Sequence, residues 1–301
     1  MSMVYTVTCN PALDYVVRAE NFKAGTLCRA NDETLRAGGK GLNVSLMLET
    51  LGVPSVAMGF AAGFTGAVIL DEIRARGIAE DFIRVGGFSR INVKLLQDGR
   101  ETEINGRGPY IPPGAVAQLL AKIAALPQGS LLVLAGSVPD SLPRDFYARL
   151  LADAGRGDLK VVVDAEGELL SSALGCRPWL VKPNLHELSL LFGARPRTRR
   201  EVSDCARDMR ARGARNVIVS MGGEGALLAS ESGGEAFVPA FKGRAVDTVG
   251  AGDALVAGFI AAKEGGAADA EALRYGVAAG SATAFCKGMA DRAAVEALLN
   301  G

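Results

Sequence analysis

One histidine (His186), one tryptophan and no surplus of either charge set the first limits on this 301-residue chain. A single histidine cannot build a histidine-rich metal centre. The 33 basic and 33 acidic residues cancel, whereas a general nucleic-acid binder carries a basic excess. The five cysteines (Cys9, Cys28, Cys176, Cys205, Cys286) are odd in number, scattered and without a CxxC, which argues against a disulfide framework or a cysteine zinc site. No window is apolar for long enough to span a bilayer, and MSMVYTVTCNPALDY lacks the apolar core of a signal peptide. The expectation is a soluble, cytoplasmic protein with neither nucleic acid nor membrane as partner. What the chain does have is apolar bulk: 49% hydrophobic against 22% charged residues, enough for one large core.

β-Branched runs alternate with helical patterns. Val4–Thr8, Ser55–Met58, Leu131–Leu134, Lys160–Val163, Trp179–Val181 and Val217–Ser220 read as buried strands. Leu42–Leu51, Ala67–Arg76, Ala115–Leu126, Arg144–Ala154 and Val202–Arg212 carry helical spacing. Such alternation predicts an α/β fold, a mostly parallel central sheet with helices on both faces, whose ligands bind at the carboxyl ends of the strands. One stretch departs from it. Ser89–Asn105 alternates Ile91, Val93 and Leu95, turns at Asp98-Gly99, and resumes at Thr102 and Ile104, a hairpin signal. With Tyr15–Val17 and Asp32–Leu35 it reads as a small β lid, formed from about residues 14–36 and 89–107 and inserted into a single domain spanning 1–301.

Three glycine-bearing motifs carry the chemistry. In Asp247-Thr248-Val249-Gly250-Ala251-Gly252-Asp253 the apolar run that follows reads as a helix, so Gly250, Ala251 and Gly252 sit at its start. Free N–H groups and the helix dipole make that position an anion site. A carboxylate beside an anion hole makes sense if the anion is a phosphoryl group in transfer. Asp253 then takes the proton of an acceptor hydroxyl while the amides neutralise the phosphoryl oxygens. The bland alternative is a plain helix cap, and for this motif alone the two are nearly balanced.

Ala37-Gly38-Gly39-Lys40-Gly41-Leu42-Asn43 opens another helix. It has neither the GxGxxG spacing of a dinucleotide fold nor the Ser/Thr of a Walker loop. Lys40 adds a cation, and Asn43 adds a donor and an acceptor, a set suited to a polyol that carries an anion. Lys182-Pro183-Asn184-Leu185-His186-Glu187 follows a predicted strand. Asn184 and Glu187 fit a capping box; they equally fit a pair facing a nucleotide's phosphates and its magnesium through water.

Taken together these motifs resemble the ribokinase-like (PfkB) family of carbohydrate kinases. DTVGAGD matches its carboxyl-terminal signature, GGKGLN its amino-terminal one and NLHE its N-x-x-E motif, in the family's order. Asn10-Pro11-Ala12-Leu13-Asp14, Ser89-Arg90-Ile91-Asn92-Val93-Lys94 and Gly136-Ser137-Val138-Pro139 are similar to the branch that phosphorylates sugar phosphates. The resemblance implies transfer from Mg-ATP to a ketohexose phosphate, foremost fructose 1-phosphate. It implies sugar contacts from Asp14, Gly38, Gly39 and Asn43, and phosphate contacts from Lys40 and Arg90, with Arg29 and Ser137 nearby. On the nucleotide side it implies Ser220, Gly222, Gly225 and Thr248, with Lys182, Asn184, Gly280 and Lys287 around them and Glu187 toward magnesium. Potassium is a further candidate ion, and the lid implies a homodimer.

Some positions depart from the family pattern. Ser141 stands where glycine is usual, Met221 where leucine is, and Phe285–Ala290 matches poorly. His186, Cys9 and the run Arg195–Arg200 read as exposed, core and solvated respectively, while Arg100 and Arg107 flank the lid. Competing readings are a tagatose-6-phosphate kinase or 6-phosphofructokinase, a kinase of an unphosphorylated sugar or nucleoside, and a non-catalytic sensor. A dinucleotide oxidoreductase is opposed by Asn10-Pro11-Ala12 after the first strand.

Overall fold

The computed structural model describes residues 2–98 and 100–301. In chain order the strands are β1 (Val4–Thr8), β2 (Ala12–Arg18), β3 (Asp32–Gly38), β4 (Ser55–Ala62), β5 (Ala79–Val85), β6 (Arg90–Gln97) and β7 (Arg100–Asn105). They continue with β8 (Leu131–Ala135), β9 (Lys160–Asp164), β10 (Leu180–Val181), β11 (Asn216–Ser220), β12 (Ala226–Ala229) and β13 (Glu235–Val238). The large sheet runs β13-β12-β11-β10-β9-β8-β1-β4-β5. It is parallel from β11 to β5, and β12 and β13 close one edge antiparallel.

Burial on both faces explains the apolar strands. Along β8, Leu132 and Leu134 join the core that includes Leu119, Ile123 and Tyr147. Leu131 and Val133 join the opposite core, with Val44, Met47, Val256 and Ile260. The period-2 alternation thus feeds two helical layers, as a doubly covered parallel sheet requires. The expected α/β class, with helices on both faces and a small second sheet, is what the chain adopts. Among the described residues, no helix is long and apolar enough to cross a membrane.

β1 has β8 on one side and β4 on the other, so strand order runs outward from it in two directions. Ligands collect at the carboxyl ends beside such a reversal. Here those ends carry Thr8 and Asn10, Ala135 to Ser137, Asp164, Lys182 to Asn184, and Ser220.

The second sheet runs β3-β2-β6-β7 and is mixed: β2 and β6 are parallel, the other pairs antiparallel. Gln97 pairs with Arg100, as the hairpin reading requires, and Asp98 has φ 49. Gly99, the other half of that expected turn, lies outside the described residues. Leu13 and Ala37 root the sheet in a third apolar cluster with Leu42, Ile69 and Leu70.

Candidate active site

Gly250 caps the Ala251–Glu264 helix with φ 80, a left-handed conformation that favours glycine. Ala251, Gly252 and Asp253 fill the first turn, where a helix presents N–H groups without intrahelical partners. Asp253 is only 6% exposed. Its Oδ2 accepts a hydrogen bond from Asn43 Nδ2 at 2.7 Å. The acid is therefore largely covered, with its Oδ2 engaged by Asn43. Burial, then the neighbouring Asp164 carboxylate, push its pKa up to about 7; Lys40, Asn43 and Lys182 oppose the rise. A carboxyl titrating there can give and take a proton near neutrality.

Beneath the helix start lies a buried charge network. Asp164, at the end of β9, is fully buried between two lysines, with Lys40 Nζ at 3.1 Å and Lys182 Nζ at 3.4 Å. Lys40 Nζ also lies 3.4 Å from Glu187 Oε1. Burial raises the Asp164 pKa, but the two lysines outweigh it and hold the group below the usual carboxylate range. For Lys40, burial is opposed and exceeded by Asp164, Glu187 and Asp253, so its pKa rises. A Cβ on Gly252 would lie 3.2 Å from Lys182 Nζ. Lys182, expected beside the nucleotide, is buried beside the start of the Ala251–Glu264 helix, where its charge acts on Asp253. Asp164 was absent from the motif reading. Its one sequence signal is an acid closing an apolar strand, at the sheet end where ligands bind.

Two adjoining cavities line the cleft. The larger, about 420 Å³, has Asp14, Gly38 and Asn43 on one side, and Thr248, Val249 and Lys287 on the other. The smaller, about 340 Å³, is walled by Lys40, Arg90, Ser137, Asn184, Glu187 and Gly39, with Thr8, Asn10 and Asn92. A Cβ on residue 38 would fall 2.7 Å from Asp14 Oδ2, so glycine there lets the carboxylate press on the backbone. Arg90 Nε donates to the Asn10 carbonyl at 3.1 Å, leaving its terminal nitrogens for a ligand. Burial lowers the Arg90 pKa and Asp14 partly opposes this.

Asn184 and Glu187 form a reciprocal capping box, each bond 2.8 Å long. The capping reading of that motif holds, and both residues also line the small cavity. Among the described residues no group of three or more His, Cys, Asp or Glu side chains is placed to hold a metal. Glu187 and Asp164 are already engaged by lysines. Such a donor set fits magnesium that arrives with phosphate oxygens and water, not an ion caged by protein.

The glycines expected on the nucleotide side form a turn at Gly222–Glu224 after Ser220, with Gly225 pressed against the Val238 carbonyl. Two expected contact residues stand outside the walls of both cavities. Gly280 is buried between the Ala251–Glu264 and Asp269–Ala284 helices, where a Cβ would sit 2.9 Å from the Ala251 carbonyl oxygen; it is there for close helix packing. Arg29 is exposed on the loop between β2 and β3 and lines neither cavity. Ser141 has a use of its own, since its Oγ accepts the Ile111 N–H at 3.0 Å and ties the segment leaving β7 to the Ser137 loop. Cys9 is fully buried with its thiol pushed up to about 12 by desolvation, and His186 is exposed.

The pfkB family carbohydrate kinase model matches residues 6–295. A 1-phosphofructokinase of Bacillus subtilis is 43% identical over 298 residues, covering 99% of this chain and 97% of that protein. A D-tagatose-1-phosphate kinase of Bacillus licheniformis is 38% identical over 290 residues, 96% of this chain and 95% of that one. Among solved structures, phosphofructokinase-2 from Escherichia coli in complex with fructose-6-phosphate superposes with a TM-score of 0.92 at 26% identity, covering 100% of this chain and 99% of that one.

Proposed function

Because this chain belongs to the pfkB family of carbohydrate kinases, we propose that its cleft moves the γ-phosphoryl of ATP onto fructose 1-phosphate, giving the 1,6-bisphosphate. The observation that carries the choice is the shared wall of the small cavity. There Lys40 and Arg90 stand with buried polar groups of Thr8, Asn10 and Asn92. Lys40 is already paired with Asp164 and Glu187, but an unphosphorylated sugar would leave the half-buried Arg90 guanidinium, bound only to the Asn10 carbonyl, without a counter-ion. A sugar phosphate supplies one.

In this reading Asp14, Gly38, Gly39 and Asn43 hold the sugar, and Lys40, Arg90 and Ser137 hold the phosphate already on it. Asp253 takes the proton of the attacking hydroxyl, and the Gly250–Gly252 amides receive the charge of the phosphoryl oxygens. Thr248 and the Ser220–Gly225 turn approach the nucleotide. The charge of its phosphates is shielded by magnesium bound with it, which Asn184 and Glu187 would hold through water. Potassium is carried on the resemblance alone; exchange of KCl for tetramethylammonium chloride at fixed ionic strength decides it.

We also read the chain as one domain whose β2-β3-β6-β7 sheet serves as a lid that excludes water on closing, at work in the cytoplasm. The lid's outer face supports a homodimer: Leu35, Tyr15, Val93 and Ile104 lie side by side across its four strands. Leu35 is 56% and Ile104 66% exposed, and a second copy offers the same surface in return.

ADP release over fructose 1-phosphate, fructose 6-phosphate, tagatose 1-phosphate, tagatose 6-phosphate and free fructose is the direct test. The fructose 1-phosphate value of kcat/KM should lead by about tenfold or more, a preference a few polar contacts supply. A lead for tagatose 1-phosphate, the reading favoured by the 38% identical relative, would replace the substrate and keep the site. Turnover of none would leave a sensor.

A further inference from the structure

At the end of the large sheet opposite the cleft lies a cavity of about 580 Å³, walled by Arg177, Arg210, Arg212, Arg215 and Glu231, with glycine and alanine completing the wall. Small-molecule sites occupy about 300–1,000 Å³. β10 and β11 run parallel. Arg177 stands three residues before the first and Arg215 directly before the second, so the cavity opens at their amino ends. Lys182, Asn184 and Ser220 stand at the other ends of the same strands.

Four guanidiniums share this wall with one carboxylate. Arg215 Nε holds Glu231 Oε2 at 2.6 Å. Arg212 Nε holds Asp208, which is not part of the wall, at 2.6 Å. Among the described residues, ion pairs at the wall engage only those two arginines. Arg210 Nε donates to the Arg215 carbonyl at 3.0 Å, which pins the side chain and leaves its charge unmatched. In a chain whose charges cancel overall, the wall is a local surplus of cations, and an anion would relieve their mutual repulsion.

Backbone contacts fix the wall in place. Arg177 has φ 54, a left-handed conformation that a bulky residue keeps only where its surroundings impose it. Its N–H donates to the Leu174 carbonyl at 3.0 Å. Gly213 lies against the same carbonyl so closely that a Cβ would fall 2.1 Å from the oxygen. The Arg215 N–H donates to the Pro178 carbonyl at 2.9 Å. The two arginine-bearing loops are locked together, so a ligand would have little chain left to order.

We propose that this cavity is a second anion site, for a compact phosphate-bearing molecule with two or more negative charges. Charge selects phosphate, which the planar guanidinium fork grips bidentately. The wall selects a compact ligand, because it has no aromatic or large apolar side chain on which a base could stack. The site stands whichever sugar the cleft phosphorylates.

Isothermal titration of inorganic pyrophosphate in magnesium-free, low-salt buffer tests it. Wild type should bind one equivalent, with Kd on the order of 0.1–1 mM, that Arg177→Gly/Arg210→Gln lacks. Glycine accepts the φ at 177 without strain, so the pair removes charge and keeps the loop. Its kcat and both KM values should stay within about twofold of wild type. Arg177→Gly alone, the milder variant, should weaken binding about fivefold or more. Glu231→Gln removes the one acid of the wall and should tighten binding about two- to fivefold, a gain that a merely structural role would not give. Pyrophosphate held in the cleft is told apart by Arg90→Ala, which should leave this equivalent in place. Binding that both arginine variants keep unchanged overturns the proposal. So does an equivalent that Arg90→Ala abolishes, or a wild type that takes up no pyrophosphate.

Discussion

Asn43 and Asp253 come from helices far apart in sequence, yet the Asn43 amide donates to the Asp253 carboxylate at 2.7 Å. One residue belongs to the glycine motif that opens the Lys40–Thr50 helix, the other to the motif that opens the Ala251–Glu264 helix. The bond ties the two glycine motifs to each other. It also fixes which oxygen of the acid stays free, since Oδ2 is occupied and Oδ1 remains for a hydroxyl proton.

Replacing that acid should separate catalysis from stability. Asp253→Asn removes the base and should lower kcat by about two to four orders of magnitude. Its effect on sugar-phosphate and ATP KM should be small. Because burial and Asp164 disfavour the ionised carboxyl, the neutral amide should stabilise the fold at pH 8 by about 1–3 kcal/mol. For a chain of this size that is roughly 2–8 °C in Tm. Kinetics and differential scanning calorimetry on one preparation read both. Near-normal turnover would remove Asp253 from the chemistry.

The pH profile carries a definite sign. With a pKa of about 7 in the folded protein, Asp253 is protonated and idle on the acid side. kcat/KM should therefore fall about tenfold per pH unit below neutrality. Stability should move the other way. The folded acid holds its proton between pH about 4 and about 7 while the unfolded one has lost it, so this group's contribution is full at low pH and is lost as pH rises through that window. Asn43→Ala deletes a donor that lowers the Asp253 pKa and should shift the acid limb of kcat/KM to higher pH.

These groups were not equally legible in the sequence. Val4–Thr8 could be placed to the residue, because an alternating apolar run at the centre of a sheet has little else it can be. The helix expected at Leu42 starts at Lys40, since Gly39 takes the capping position. β5, β12 and β13 were passed over: AEDFIRV, ALLA and EAFV are short or polar, and sheet pairing decides them more than local preference does. Glycine motifs exposed the anion hole because backbone geometry restricts which residues can build it. Asp164 stayed hidden because it is a single polar residue on a strand, and only the assembled sheet brings Lys40 and Lys182 beside it.

The lid's outer face makes a prediction about assembly. Strand pairing places Leu35, Tyr15, Val93 and Ile104 in one row, and a charge in that row would be desolvated on association. Leu35→Asp with Ile104→Asp should convert a dimer into a monomer at micromolar concentration, read by multi-angle light scattering. A wild type that is monomeric under the same conditions would show that the face is simply solvated. A tetramer whose mass the substitutions leave unchanged would place the interface elsewhere.

Asp164 offers a test in which stability should move opposite to the change expected for Asp253→Asn. Its carboxylate is fully buried between Lys40 and Lys182, so Asp164→Asn leaves two cations with half their counter-charge. Breaking a buried pair in this way costs about 3–5 kcal/mol, and Tm should drop by several degrees or more. The same substitution removes the second-largest influence holding the Asp253 pKa up, while Lys40 and Lys182 continue to pull it down. The acid limb of kcat/KM should therefore move to lower pH, opposite to the shift expected for Asn43→Ala. A limb that stays in place while Tm falls would mean that the Asp164 charge does not reach Asp253, and that burial alone sets the acidity of the base.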